Sequence, residues 1–547
     1  MRARLTVGVI LFAALAAAAA PVSMARQNAS RESRVDAIMS RWNETTPGCA
    51  VGVSHKGELV LERAYGRADL EHDVANTGTT IFEAGSVSKQ FTAAAVLMLA
   101  RDGKLSLDDP ARKYVPELPD YGTPLTIRHM LNHTSGLRDW GSVAAIAGWP
   151  RTSRVHTHAH VLDIISRQRS LNFTPGTRWS YSNSGYNLAA IIVSRVAGEP
   201  FAEFTRTRIF APLRMTRTSW RDDYTRVVKD RAIAYTSSHE GFLTDMPFEN
   251  VHGNGGLLTT VGDLLRWAAN YARPAVGDAA FMKEMLEPGR FTDGRQHDYG
   301  LGIRTRQHRG VRELWHSGST AGYRAYLADY PDRALSVAVL CNLASANADQ
   351  FAQAIADVYL DLPPIADTTA TDSSPASSET NGGRDALAGT YRRTDTGEPI
   401  VIARQGANLR LDRNVTLTAR SPTEFARANG QVFDFASPRL LTVTDPYGSV
   451  LRYARVPPSE MARKPLADYS GTYASDEAET SITMASDGDA LVARQRPDTE
   501  VRLTPAYADA FTNTRLGFVR FHRSRSGRVT SFSVTQDRVW DLRFNRQ

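Results

Sequence analysis

The sequence predicts an α+β protein: a mixed region over residues 32–362, then two small antiparallel β-barrels. Three observations carry this. Strand-like runs alternate with helical runs as far as Leu362. A stretch without aromatic residues, 363–384, then interrupts the chain. After it the texture changes to short period-two segments, and these repeat at an offset of 82 residues.

The composition is that of a globular protein. Of 547 residues, 42% are hydrophobic and 22% charged, which excludes collagen, a coiled coil and wholesale disorder. Two cysteines exclude a disulfide scaffold and any cysteine-rich metal module, and neither a metal nor a cofactor is expected. The formal charge is +7, but the 65 basic residues are dispersed rather than gathered in runs, so no nucleic-acid partner is expected.

The N-terminus comes first. Arg2 and Arg4 precede an apolar run to Ala20, and Ser23-Met24-Ala25 places small residues where a signal peptidase reads. Residues 1–25 are therefore expected to be a signal peptide. The run is short of the roughly 20 residues that a membrane span needs. The mature chain is expected in the periplasm or secreted, with no stable membrane anchor after cleavage. Cys49 and Cys341 each lie in an apolar strand-like run, where a buried free thiol is the expected state, although an oxidising compartment would permit pairing.

In the mixed region, CAVGVSHKGELVLERAYG from Cys49 reads as strands. FTAAAVLMLARDG from Phe91 and NLAAIIVSRVAG from Asn187 read as helices. Residues 363–384 read as a flexible linker. In the tail, Leu387-Ala388-Gly389-Thr390-Tyr391 returns as Tyr469-Ser470-Gly471-Thr472-Tyr473, and Gly406 and Leu409 return as Gly488 and Leu491. Between these anchors, PIVIARQ, LLTVTD, SITMA and VTSFSVTQ alternate with period two. The barrels are placed at 385–457 and 464–547.

Three stretches carry chemistry. In Gly85-Ser86-Val87-Ser88-Lys89, serine and lysine stand three apart at a helix start, one turn from each other on one face. A lysine that loses its proton can take the serine proton and create a nucleophile. The pair occurs once, with an apolar helix following immediately. In Trp179-Ser180-Tyr181-Ser182-Asn183, a loop tyrosine near a lysine can be held as phenolate and act as base, although the same residues are ordinary turn chemistry when read alone. In Trp315-His316-Ser317-Gly318-Ser319, flanked by the strand-like VRELW and YRAYLADY, Gly318 lets another chain approach closely. No G-x-S-x-G elbow and no H-E-x-x-H zinc helix is present.

Ser-x-x-Lys, Tyr-x-Asn and His-x-Gly in this order resemble the serine β-lactamase and penicillin-binding-protein superfamily. More narrowly, they are similar to its branch of class C β-lactamases, D-Ala-D-Ala carboxypeptidases and D-aminopeptidases. Leu131–Leu137, Gly255-Gly256-Leu257 before Asp263, and Tyr299-Gly300-Leu301-Gly302 agree with it. The resemblance implies an antiparallel five-stranded sheet flanked by helices, with a helical second lobe. It implies Ser86 as nucleophile and Lys89 and Tyr181 as acid and base. It makes Asn183 the holder of the substrate amide and His316 a donor of charge or a hydrogen bond. The backbone N–H groups of Ser86 and Ser319 would form an oxyanion hole. Two C-terminal barrels also occur in the D-aminopeptidases of this branch, where one sends a loop into the active-site mouth.

His-Ser-Gly stands where β-lactamases commonly have Lys-Thr-Gly, so recognition of a substrate carboxylate would pass to another cation such as Arg324. The expected function is an exported serine hydrolase of short peptides containing D-amino acids, of D-aminopeptidase or DD-carboxypeptidase type. Two alternatives stay open. One is a class C-like β-lactamase or promiscuous carboxylesterase. The other is a non-catalytic penicillin- or wall-peptide-binding protein. The expected partner is thus a small peptide, ester or β-lactam.

Overall fold

The computed structural model describes residues 31–363 and 382–547, apart from 407, 413 and 463. The expected signal peptide and most of the expected linker lie outside the described residues. Among the described residues, no helix is long and apolar enough to cross a membrane.

The N-terminal domain is built on an antiparallel sheet. Its strand order is Arg304–His308, Val311–Thr320, Tyr323–Tyr330, Leu335–Cys341, Cys49–His55, Glu58–Tyr65. That is six strands, one more than expected. The central strands are buried on both faces, and the period-two alternation sorts their side chains. Val51, Val53, Val337 and Val339 pack against Val35 and Met39 of helix 31–39 and Phe351 and Ile355 of helix Ala348–Tyr359. The opposite face is lined by the smaller Ala50 and Ala338, with Leu340. It receives helix Val261–Ala272 through Val261, Leu264 and Leu265. Gly52 keeps that helix close: a Cβ there would lie 2.9 Å from Leu265 Cδ1. Beyond it a helical lobe packs helix Lys89–Arg101 against Asn183–Ala197.

Cys49 and Cys341 sit directly opposite each other on paired strands, 292 residues apart in sequence, and form a disulfide. The expected free thiols are corrected here: two separate apolar runs become neighbouring strands in register.

The tail forms two closed eight-stranded antiparallel barrels, led into by a short helix, Gly382–Leu387. The internal repeat has a physical basis. Tyr391 Oη donates to Leu387 O and Tyr473 Oη to Tyr469 O, each at 2.9 Å, four residues back along the chain. In each barrel an arginine of the last strand, Arg455 or Arg546, donates to the backbone just before the first strand.

Both barrels are docked on the N-terminal domain. The core of the second is continuous with Val143, Ile146 and Ala147. Arg138, buried beneath it, pairs with Glu477 at 2.9 Å and donates to Trp540 O. The first barrel is held by an Arg178–Asp395 ion pair and by Ser449, whose Oγ accepts from Trp179 N at 2.9 Å.

Candidate active site

Ser86 lies in a 3-10 turn, Gly85–Ser88, that runs straight into helix Lys89–Arg101. Gly85 has φ 50°, a left-handed conformation that favours glycine. Ser88 pins the turn, its Oγ donating to Gly85 O at 2.6 Å and accepting from Leu257 N at 3.1 Å. Gly318 lies against the same turn, its absent Cβ falling 2.0 Å from Ala84 O and 3.1 Å from Ser86 N. The expected close approach at Gly318 is therefore present, and Ser86 and Ser319 both line one cleft.

Lys89 is fully buried. Its Nζ lies 3.2 Å from Ser86 Oγ, 2.9 Å from Asn183 Oδ1 and 2.7 Å from Asn254 O. Burial, then the Arg538 charge, push its pKa well below the usual lysine value; Asp139 opposes this and Arg151 adds to it. A neutral amine has two N–H groups for the two carbonyl oxygens, which leaves its lone pair for the Ser86 hydroxyl.

Tyr181 lies just before helix Asn183–Ala197 and donates from Oη to Ser86 Oγ at 2.7 Å. Burial pushes its pKa up to about 12, against the lowering effects of the Ser86 hydrogen bond and Arg538. The expected phenolate is corrected: burial holds the resting group as a phenol. His133 stacks on this ring at 4.3 Å and accepts the Ser182 N–H at Nδ1. Asp139 Oδ2 accepts the Asn183 N–H at 2.8 Å and fixes the helix start.

His316 is buried, and burial, then Lys89, push it down to about 3. Its Nδ1 meets Ser317 O at 2.6 Å and its Nε2 meets Tyr299 Oη at 2.9 Å. It carries no charge at neutral pH, and both nitrogens are engaged outside the Ser86–Lys89–Tyr181 triangle. The expected donation of charge is corrected on that ground. Arg324 is corrected too. Its Nη1 donates to Ala321 O and Tyr323 O, both at 2.7 Å, folding the side chain back on its own hairpin and away from the residues that line the cleft.

Several contributors were not singled out from the sequence. Glu83 is buried and paired with Arg221 at 2.8 Å, and it accepts the Gly256 N–H. It thereby holds the loop whose Asn254 carbonyl receives Lys89. That loop adjoins the noted Gly255-Gly256-Leu257 run. The cleft, of about 800 Å³, is lined in part by both barrels through residues such as Tyr447, Arg393, Arg538 and Trp540. Among the described residues, one trio could share a cation, Asp69, Glu71 and His72. It is largely exposed and does not line the cleft.

The comparisons agree with this fold. The beta-lactamase family model matches residues 32–360. A D-aminopeptidase of Brucella melitensis biotype 2 is 25% identical over 513 residues, covering 90% of this chain and 94% of its own. The solved penicillin-binding protein homologue from Pyrococcus abyssi is 23% identical with a TM-score of 0.55, covering 78% of this chain and 99% of its own. The D-amino acid amidase from Ochrobactrum anthropi SV3, solved with L-phenylalanine amide, is 22% identical with a TM-score of 0.53. It covers 61% of this chain and 99% of its own.

Proposed function

The chain belongs to the β-lactamase family as a serine hydrolase, and from that premise we propose that it is exported and cleaves short peptides or amides of D-amino acids through an acyl-enzyme on Ser86. The observation that carries this is the triangle of Ser86 Oγ, Lys89 Nζ and Tyr181 Oη, with separations of 3.2 and 2.7 Å from the serine.

Neutral Lys89 takes the Ser86 proton as Oγ bonds to the substrate carbonyl carbon. The oxygen charge that develops is met by the N–H groups of Ser86 and Ser319. As the C–N bond breaks, Tyr181 gives its proton to the leaving nitrogen and regains one from the Lys89 ammonium. Water then attacks the ester, its proton passing through the same groups back to Ser86. Asn183 holds the substrate amide while its Oδ1 orients Lys89.

The D-amino acid substrate is supported by the D-aminopeptidase and D-amino acid amidase relatives. A neutral His316 argues against an efficient β-lactamase, which would lose the cation of Lys-Thr-Gly. Export is supported by the N-terminal pattern and by the Cys49–Cys341 disulfide, since such bonds persist in oxidising compartments. The barrels, which contribute to the lining of the cleft, would limit substrate length.

The test is a rate panel on protein beginning at residue 26, with D-alanine p-nitroanilide, nitrocefin and p-nitrophenyl butyrate. The D-alanyl amide should be turned over best. A preference for nitrocefin or the butyrate ester would move the assignment to the alternative readings, and turnover of none would remove it.

A further inference from the structure

The last hairpin of the second barrel, between strands Val529–Gln536 and Val539–Arg546, turns through Asp537 and Arg538 and brings both to the cleft. The turn is fixed through its backbone. Arg538 O accepts from Asp139 N at 3.2 Å and Asn172 Nδ2 at 3.1 Å, and Trp540 N donates to Asn172 Oδ1 at 2.8 Å. Asp139 also receives the Asn183 N–H, so this hairpin and the substrate-holding asparagine share one anchor.

The Arg538 guanidinium lies 4.8 Å from the centre of the Tyr181 ring. Among the described residues it makes no hydrogen bond. Its nearest anion is Asp537 at 3.6 Å, itself 93% exposed to solvent. The other cations near the serine each have an anionic partner or are turned aside, although Arg304 Nε and Arg393 Nη2 are buried without a hydrogen bond. Arg151 pairs with Glu249. Arg304 meets Asp298 at 3.4 Å and is fenced by the rings of Trp179, Tyr299, Trp315 and Tyr447. Arg393 meets Asp395 at 2.6 Å and Glu398 at 3.4 Å. His316 is neutral and Arg324 is turned away.

We propose that Arg538 binds a carboxylate on the leaving side of the substrate, so that the second barrel supplies a specificity residue to the active site. This rests on the serine-hydrolase reading above. Arg538 stacks on the residue that protonates the leaving nitrogen, so a charged group on the departing residue lies within its reach. A guanidinium fork that makes no hydrogen bond among the described residues, and has only a long contact to the exposed Asp537, matches the two oxygens of a carboxylate. The substrate class is a peptide whose departing residue carries its free C-terminal carboxylate.

The test compares two substrates that differ by one charge, D-alanyl-D-alanine and its C-terminal amide, on the mature full-length protein, Arg538→Gln and Arg538→Lys. The readout is the ratio of kcat/KM for acid over amide. Arg538→Gln should lower the ratio roughly 10- to 100-fold, the size of a lost charged hydrogen bond, and Arg538→Lys by less. Should Arg538→Gln fail to fold, Arg538→Lys carries the comparison. Added salt should lower the ratio of the unaltered protein. An unchanged ratio in the variants, with both peptides still cleaved, overturns the inference and leaves the enzyme reading standing. Turnover of neither peptide by the unaltered protein also overturns it. Labelling of Ser86 by a fluorophosphonate then decides whether the enzyme reading falls as well.

Discussion

Gly85 and Gly318 stand back to back at the catalytic turn: a Cβ on Gly85 would lie 2.6 Å from Ser319 N, and one on Gly318 would lie 2.0 Å from Ala84 O. In the proposed mechanism the N–H groups of Ser86 and Ser319 meet the developing oxyanion, and this contact would set their separation. Gly318→Ala must push the strand off the turn. Loss of one such donor typically costs about 3 kcal/mol of transition-state stabilisation. Steady-state kinetics should therefore show kcat down by roughly 100-fold or more. Near-normal kcat would mean that the hole is built elsewhere.

The pH–rate profile of kcat/KM follows from the Lys89 and Tyr181 environments. The base must be neutral, and Lys89 is held well below its usual value, so activity is lost as pH falls through that lowered pKa, at a lower pH than an ordinary lysine would give. The acid must be protonated, and Tyr181 is pushed up to about 12, so the alkaline loss lies beyond the ordinary tyrosine value of 10.0. His316, at about 3, contributes no limb near neutrality. Lys89→Ala should remove the acid limb and lower acylation by about 10²- to 10⁴-fold. A titration of the unaltered enzyme with a base pKa near 10.5 would contradict this reading.

The first barrel steadies the tyrosine loop. Ser449 Oγ accepts from Trp179 N at 2.9 Å, and Tyr447 packs on the Trp179 ring at 4.0 Å, two residues before Tyr181. Ser449→Ala leaves a buried N–H without its partner, at a cost of about 1–3 kcal/mol. Thermal melts should show that loss, and kcat should fall more than KM rises, because the displaced group acts in chemistry. An unchanged kcat would confine the barrel to a structural role.

The disulfide closes a loop of 292 residues across the centre of the sheet. Replacing both cysteines by alanine should lower stability by about 2–5 kcal/mol in denaturant titrations while the folded variant stays active, since neither residue lines the cleft. Equal stability with and without the bond would show that the strand pairing alone suffices.

Much of this was legible in the sequence, for identifiable reasons. Ser86 and Lys89 are one helical turn apart, so their meeting follows from spacing. The barrels announced themselves through the Tyr391 and Tyr473 repeat. The extra sheet strand, Arg304–His308, was not legible because RTRQH is an edge strand with no apolar alternation. Asn254, Asp139 and Arg538 reach the site from distant segments, and no local pattern marks such partners. Arg324 was misplaced because a sequence gives a residue's position on a strand but not the direction in which its side chain folds. The charge of His316 depends on burial that only the packed domain supplies.

The central claim is that Ser86 alone becomes covalently acylated. Intact-protein mass spectrometry after reaction with a fluorophosphonate, followed by peptide mapping, tests it most directly. One adduct per chain is expected, placed on Ser86 and absent in Ser86→Ala, whose melting temperature stays close to that of the unaltered protein. An adduct on any other residue, or full labelling of Ser86→Ala, would contradict it.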